Sequence, residues 1–142
     1  YLREFISSDG IQFYHLNNDI DVIKYIGNKP FKSLQEANKF ISTYSDYERN
    51  GFGRWAVVYK KLMNFWDGVV LKRMSLLKKL SRISFFLKKL GKGYAAESAL
   101  ASVNYGIPTL KISKIIGSVY KDNLVSIRVL KKCKFKVIYF FE

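Results

Sequence analysis

Cysteine, histidine and proline are scarce in this chain of 142 residues, which has one cysteine, one histidine and two prolines. The single cysteine, Cys133, excludes an intramolecular disulfide and is typical of a protein in a reducing cytoplasm. No cluster of histidine, cysteine and carboxylate residues has metal-ligand spacing, so we expect no metal site. The one histidine, His15, lies between Tyr14 and Leu16 on an expected apolar helical face, and we assign it no catalytic role.

Long apolar runs are also absent. The longest, such as residues 55–59, are far too short to span a bilayer, and no secretory pattern opens the chain. The composition is otherwise that of a folded protein, with 49% hydrophobic and 16% aromatic residues. These proportions suffice for a buried core, and the length predicts a single domain over residues 1–142 in the cytoplasm.

Acidic residues are few, 11 against 25 lysines and arginines, which gives a net charge of +14. Residues 1–59 contain seven basic and seven acidic residues, residues 60–92 contain ten and one, and residues 93–142 contain eight and three. The positive excess therefore lies entirely after residue 59, where it would suit a phosphate-bearing ligand. Simple solvation of the surface by lysines would give the same excess.

Periodicity predicts helices that alternate with strands. Helical spacing appears in residues 5–16, 34–47 and 97–105, and Ser33 with Glu36 forms a predicted capping box for the second of these. β-Branched and aromatic residues predict strands at 56–59, 69–72, 83–87, 114–119 and 136–141. This order indicates an α/β (α+β) fold with a mixed sheet.

Residues 76–90 allow two interpretations. Their leucines recur at helical spacing with lysines and arginine between them, which is the pattern of a basic amphipathic helix for an anionic membrane or acidic partner. However, Ile83, Phe85 and Leu87 also alternate as in a strand, and Ser84, Phe85 and Phe86 interrupt a clean polar face. We favour the strand.

The most specific segment follows that strand. Residues 88–97 read Lys-Lys-Leu-Gly-Lys-Gly-Tyr-Ala-Ala-Glu and lead into a helix, so a basic, glycine-bearing turn opens the helix. The first turn of a helix has backbone N–H groups without partners and a partial positive charge, and glycines let a pyrophosphate approach them. We interpret this turn as a phosphate cradle.

A second segment reads Asp-Asn-Leu-Val-Ser-Ile-Arg-Val-Leu-Lys-Lys-Cys-Lys-Phe over residues 122–135. Together with the Gly-Lys-Gly-Tyr-Ala turn, it resembles the acetyl-CoA-binding core of the GNAT superfamily of N-acetyltransferases, in its ribosomal-protein-acetylating (RimJ/RimL-like) branch. The resemblance extends to residues 1–3, 16–19, 22–27, 33–49 and 51–58. It implies a mixed, mostly antiparallel sheet flanked by helices, with a splayed strand pair that binds acetyl-CoA.

The resemblance also implies roles for particular residues. Ser126 matches a serine that protonates the departing thiolate, which makes it the candidate catalytic residue. Asn123 matches an asparagine near the pantetheine, although a helix cap would equally explain it, and Tyr94 could pack beneath the turn rather than contact the ligand. The full cofactor-binding set implied by the family is Phe85, Phe86, Leu87, Lys88, Lys89, Leu90, Gly91, Lys92, Gly93, Tyr94, Ala95 and Asn123.

The general base is not indicated by the sequence. Arg82 occupies a position where related sequences often have glutamate, and an arginine cannot accept the proton of an attacking ammonium. Glu48, Asp67 or bulk water remain as acceptors for that proton.

Acetyl transfer from acetyl-CoA to a primary amine is therefore the expected activity. The acceptor would be a protein N-terminus or a small-molecule amine, and the basic rim would suit acidic peptides. The alternatives are a catalytically weak or inactive CoA-binding family member, or a basic protein that docks on nucleic acid or an anionic membrane. Nucleic-acid binding has no recognised motif here to support it.

Overall fold

A computed structural model describes residues 1–26, 29–60, 64–75, 80–86 and 93–136. The helices are α1 (Gly10–Asn17), α2 (Ile20–Ile26), α3 (Leu34–Ser42), α4 (Asp46–Asn50), α5 (Tyr94–Gly106) and α6 (Leu124–Lys132), and a short 3-10 turn covers Ser7–Asp9. The strands are β1 (Leu2–Arg3), β2 (Arg54–Tyr59), β3 (Asn64–Ser75), β4 (Leu80–Phe86) and β5 (Lys114–Gly117). Within these ranges, no helix has the length and apolar character needed to cross a membrane.

The five strands form one sheet in the order β1-β2-β3-β4-β5. The first three pairings are antiparallel, and β4 pairs with β5 in parallel. A parallel pair needs a crossover connection, and here the connection contains α5. The predicted mixed, mostly antiparallel sheet is confirmed.

β4 decides between the two interpretations of residues 76–90. Leu80–Phe86 is a strand hydrogen-bonded to β3 on one side and to β5 on the other. The amphipathic-helix alternative is therefore wrong for these residues, because two neighbouring strands supply partners for the backbone that a helix would have bonded internally. Residues 76–79 and 87–90 lie outside the described residues.

The sheet separates two hydrophobic clusters. Successive residues of a strand point to opposite faces, and in β2 this places Trp55 and Val57 in one cluster and Ala56 and Val58 in the other. The first cluster contains residues of α5 and α6, including Ala99, Val129, Leu130 and Cys133. The second contains residues of α1, α2 and α3, including Phe13, Leu16, Val22 and Ala37. One face of the sheet thus carries α5 and α6, and the other carries α1 to α3.

The first predicted helix, residues 5–16, begins too early. Asp9 is buried and accepts two hydrogen bonds from the Arg3 guanidinium, at 2.6 and 2.7 Å, and a third from the Ile6 N–H at 3.0 Å. This bidentate ion pair holds the chain in a 3-10 turn, so α1 starts only at Gly10. His15 is exposed on α1, so the predicted position on an apolar helical face is wrong.

The second predicted helix, residues 34–47, is interrupted and forms α3 and α4. The hydroxyls of Ser42 and Thr43 donate to the Lys39 carbonyl at 3.0 and 2.8 Å, which satisfies a terminal carbonyl of α3 locally. At its start, Ser33 Oγ accepts from the Glu36 N–H at 3.2 Å, so the predicted N-cap is confirmed. The Glu36 carboxylate accepts from the Lys32 N–H at 2.7 Å, one residue before the cap.

Other boundaries also differ from the predictions. Helix α5 starts at Tyr94, three residues before the predicted start, and β5 ends at Gly117, two residues before the predicted end at Val119. The predicted strand 136–141 lies outside the described residues except for Lys136, which belongs to no strand.

Candidate active site

β4 and β5 separate at one end of their shared ladder. Their parallel pairing runs from Leu80 with Lys114 to Ile83 with Gly117, and β4 then continues to Phe86. On the other side of β4 the pairing with β3 continues to Phe86 and Gly68. The carboxyl end of β4 therefore leaves the β5 side of its backbone without its strand partner, and this is the splayed pair predicted from the sequence.

Helix α5 is the next described element of the chain after β4. Its N-cap, Gly93, has φ 80° and ψ −7°, in the left-handed region that side chains rarely adopt. A Cβ added there would meet nothing within 4 Å, so the space around this position is open. Among the residues that the structure describes, no side chain caps this terminus, and the first helical bond of the turn runs from the Glu97 N–H to the Gly93 carbonyl at 3.0 Å.

The amides of the first turn of α5 are the groups that a phosphate would bind. The N–H groups of Ala95 and Ala96 donate to no acceptor among the residues that the structure describes. Such groups carry the positive end of the helix dipole. Because Gly93 adds no side chain in front of them, an anionic oxygen can approach directly.

Helix α6 packs on the end of β5 and against the first turn of α5. A Cβ at Gly117 would lie 2.5 Å from Leu130 Cδ2, so glycine is needed there for α6 to pack on the strand. At the end of α6, Cys133 Sγ lies 3.8 Å from the Ala96 carbonyl oxygen. Burial raises the pKa of this thiol, so Cys133 acts as a packing residue rather than a nucleophile.

Asn123 is the N-cap of α6. Its Oδ1 accepts from the Ser126 N–H at 3.1 Å, which is the capping role that the sequence offered as an alternative to cofactor contact. The side chain nitrogen of Asn123 is not used in this cap. Ser126 is 7% exposed, and its hydroxyl has no hydrogen-bond partner within residues 1–26, 29–60, 64–75, 80–86 and 93–136.

The remaining predicted cofactor-binding residues divide into three groups. Phe85 and Phe86 lie in β4 at register with Val69 and Gly68 of β3, beyond the last pair with β5. Tyr94 packs its ring 5.6 Å from that of Tyr59, which supports the packing role. The others lie outside the described residues: Leu87, Lys88, Lys89, Leu90, Gly91 and Lys92.

No described side chain is identified as the general base. Glu48 lies exposed on α4. Asp67 pairs with Val57 in the sheet, and Arg82 lies between Lys72 of β3 and Ile116 of β5. The described residues include no group of three or more histidine, cysteine or acidic residues that could hold a metal ion.

A pocket of about 280 Å³ lies on the opposite face of the sheet, and sequence reasoning missed it. Five residues from α1, the chain before α3, α3 and β2 line it: Asn17, Lys29, Phe31, Phe40 and Arg54. They are spread over 38 positions of the chain, so no local motif announces them. The one available signal was the arginine that opens the aromatic strand β2.

Arg54 is held in place by two tyrosines. The backbone N–H of Arg54 donates to Tyr44 Oη at 2.8 Å, and the Tyr47 hydroxyl donates to the backbone carbonyl of Arg54. Its guanidinium lies over the Phe40 ring, 5.1 Å from the centroid. Burial lowers the pKa of Arg54, while Tyr44 and Asp46 act in the opposite direction, and an arginine stays charged despite such a shift.

A mixed sheet, a splayed parallel pair and a glycine-opened helix after it are the features that the resemblance to the GNAT superfamily implied. The family model of the acetyltransferase (GNAT) domain matches residues 1–136 of this chain. The chain therefore belongs to the GNAT acetyltransferase family.

Individual relatives agree with this assignment. The uncharacterized N-acetyltransferase p20 of Bacillus licheniformis is 24% identical over 122 residues, which cover 84% of this chain and 68% of the relative. A GNAT-family acetyltransferase structure from Bacillus anthracis is similar with a TM-score of 0.80 and 25% identity, covering 93% of this chain and 76% of that one.

Two more distant structures share the fold. A spermidine N-acetyltransferase from Vibrio cholerae, in complex with CoA and spermine, has a TM-score of 0.79 at 20% identity, over 94% of this chain and 78% of that one. A ribosomal-protein-S5-alanine acetyltransferase from Vibrio fischeri has the same TM-score at 15% identity, over 95% and 78%. These two proteins act on different acceptors, so the fold alone does not define the acceptor of this chain.

Proposed function

We propose that this protein transfers the acetyl group of acetyl-CoA to a primary amine. The observation that carries the proposal is the first turn of α5, where Gly93 leaves the amides of Ala95 and Ala96 open to a diphosphate beside the separated strands β4 and β5. A diphosphate and an extended pantetheine arm are the two parts of CoA that such amides and such an open strand edge would bind.

The chemistry follows from this placement. The amine nitrogen attacks the thioester carbonyl carbon, a C–N bond forms, and the C–S bond breaks. A backbone N–H of β4 beyond Ile83 would polarise the carbonyl oxygen as negative charge develops on it. The CoA thiolate leaves and takes a proton from the Ser126 hydroxyl, which regains one from water at the same time, and the proton released by the amine passes to water or a carboxylate.

Three finer statements belong to this proposal. Residues 1–142 act as one acetyltransferase domain, and the acceptor is a protein N-terminus or a small-molecule amine. The RimJ/RimL-like branch is the proposed subfamily, supported by the Gly-Lys-Gly-Tyr-Ala turn and by the fold shared with a ribosomal-protein acetyltransferase.

A matched pair of variants at Gly93 tests the phosphate site. Asparagine and aspartate both tolerate the left-handed conformation and both serve as N-caps, and the space around Gly93 admits either side chain. They differ only in charge. We expect Gly93→Asp to weaken acetyl-CoA binding about tenfold or more relative to Gly93→Asn, because the carboxylate repels the diphosphate. Isothermal titration calorimetry measures both affinities.

The melting temperature without ligand is the control for folding, and we expect it to be similar in the two variants. Acetyl-CoA should raise the melting temperature of the unmodified protein, since a ligand that binds only the folded state stabilises it. Equal affinities of the two variants would contradict the assigned site. Stabilisation by RNA or anionic vesicles, with none by acetyl-CoA, would replace the transferase proposal with the basic binding protein.

A further inference from the structure

The pocket on the α1–α3 face lies at the same level of the sheet as the strand separation. Arg54 of β2 is paired with Val70 of β3, and Val70 is paired with Ser84 of β4. Ser84 is the first residue of β4 beyond the last pair with β5. Since neighbouring strands are about 4.8 Å apart, Arg54 lies about 10 Å from the point where the strands open.

The two substrates can therefore approach from opposite faces. Helix α5, whose first turn is the proposed diphosphate site, packs in the cluster that contains Trp55 and Ile83. Phe40 of α3, a wall of the pocket, packs against the other cluster, which contains Ala56. An acceptor bound on the α1–α3 face would meet the acetyl group at the opening between β4 and β5.

The chemistry of the pocket selects for an anion on an apolar stem. Its described lining contains two cations, Lys29 and Arg54, and no carboxylate, while the charge of Asp46, which is outside the lining, also acts on Arg54. Phe31 and Phe40 supply apolar walls, with their ring centroids 6.0 Å apart. A guanidinium presents its donors in a fork that matches the two oxygens of a carboxylate.

Asn17 adds one hydrogen-bond acceptor to the same pocket. It is 6% exposed, and its Nδ2 donates to the Phe13 carbonyl at 2.9 Å, which leaves Oδ1 as the group that can accept from a ligand. The neighbouring residue, Asn18, fixes one wall: its side chain donates to the Phe31 carbonyl at 2.8 Å and accepts from the Phe31 N–H at 2.9 Å. The pocket is thus shaped by α1 before any ligand binds.

We propose that this pocket binds a carboxylate of the acceptor, and hence that the acceptor is a peptide with an acidic side chain near its free N-terminus rather than a polyamine. The inference rests on the transferase function proposed above. A peptide advances about 3.3 Å per residue when extended, so a carboxylate on its second or third residue can reach Arg54 while its amine reaches the opening. A backbone N–H of the peptide would donate to Asn17 Oδ1.

Two peptides and two variants test this inference. The probes are hexapeptides with a free N-terminal alanine followed by two glutamates or by two glutamines, each labelled at the C-terminus for fluorescence anisotropy. We expect the glutamate peptide to bind about tenfold more tightly, and Lys29→Glu to abolish the difference. Lys29 is exposed, so the variant should fold normally. The control is Lys39→Glu. Lys39 is an exposed lysine of α3 outside the pocket lining, so this variant should still bind the glutamate peptide more tightly than the glutamine peptide.

Binding without acetyl-CoA separates the two proposals. If acetyl-CoA binds but the glutamine peptide binds as well as the glutamate peptide, the pocket assignment is wrong and the transferase proposal stands. The pocket assignment also fails if Lys39→Glu removes the preference as fully as Lys29→Glu. If the glutamate peptide binds in a Lys29-dependent way but the protein does not bind acetyl-CoA, the pocket assignment is supported and the transferase proposal is refuted. Spermidine should be acetylated more slowly than the glutamate peptide, and faster turnover of spermidine would overturn the inference.

Discussion

Gly93 and Asn123 begin the two helices of the candidate active site in different ways. Asn123 caps α6 with its own side chain, 3.1 Å from the Ser126 N–H. Gly93 has no side chain and leaves the first amides of α5 without such a cap. Of these two helices, α5 is the one whose first amides lack a side-chain cap among the described residues, and this single-residue difference selects α5 rather than α6 as the proposed diphosphate site.

Ser126 offers a prediction at the same scale. We expect Ser126→Ala to lower kcat for acetyl transfer about tenfold to a hundredfold, because the thiolate loses its proton donor, while the affinity for acetyl-CoA stays unchanged. The matched control is Ser102→Ala on α5, which also removes a buried hydroxyl but lies in mid-helix, where its Oγ donates to the Ser98 carbonyl at 2.8 Å. Steady-state kinetics with a thiol-release assay measures both variants. An unchanged kcat in Ser126→Ala would remove its catalytic role.

The segment containing α4 shows how elements distant in the sequence are joined. Tyr47 accepts from the Phe5 N–H at 3.1 Å and donates to the Arg54 carbonyl. One phenol thus connects the chain after β1, α4 and the start of β2. The same contacts hold Arg54 at the wall of the pocket, so the stability of α4 and the shape of the pocket are coupled.

Alkaline stability should report this connection. Burial is the main cause that raises the pKa of Tyr47 from its ordinary value of 10.0 to about 12, so folding favours the neutral phenol. Its contribution is complete below the unfolded pKa and is lost as the pH rises from about 10 to about 12. We expect the free energy of unfolding to fall in that window, and to fall less in Tyr47→Phe, which lacks the ionisable group.

Urea denaturation at each pH measures this effect. Tyr120→Phe is the control, because Tyr120 is 59% exposed and replacing it should leave the pH dependence unchanged. At neutral pH, the free energy of unfolding of Tyr47→Phe should be about 1 to 3 kcal/mol lower than that of the parent, because the Phe5 N–H and the Arg54 carbonyl lose their shared partner. Identical pH profiles for the parent and Tyr47→Phe would show that folding does not raise the pKa of Tyr47.

Over the whole molecule, charge is distributed unevenly. The net charge of +14 arises after residue 59, in the part of the chain that contains β3, β4, α5 and α6. This part includes the proposed diphosphate site, whereas the neutral part includes α1 to α4. In the proposed function, the basic part of the sequence binds the cofactor, and Lys29 and Arg54 act locally in the proposed acceptor pocket.

Salt should weaken the binding of acetyl-CoA. We expect the affinity for acetyl-CoA to fall several-fold between about 50 mM and about 500 mM NaCl, because salt screens attraction between the phosphates and the basic surface. Calorimetric titration at several salt concentrations measures the slope. S-acetylpantetheine, which lacks phosphates, is the control and should show little dependence on salt. Equal slopes for the two ligands would show that phosphate contacts do not determine the affinity.

Much of the fold could be predicted because it depends on neighbouring residues. The Ser33 cap lies three residues from the amide it serves, and the alternation of Ile83 and Phe85 identifies β4 within a few positions. The positive φ of Gly93 likewise suits the glycine placed before a helix. The breaks in the first two helices were missed because they depend on the Arg3–Asp9 pair and on hydroxyls that compete for the Lys39 carbonyl.

The amino-acid sequence by itself determined the α/β class, the family and the start of α6 at the Asn123 cap, since periodicity, caps and ordered motifs act over short spans. Only the tertiary structure decided where β4 parts from β5 and that Asn17, Phe31 and Arg54 line one pocket. The physical reason is that strand pairing and packing join residues far apart in the chain, and their geometry exists only once the sheet has formed.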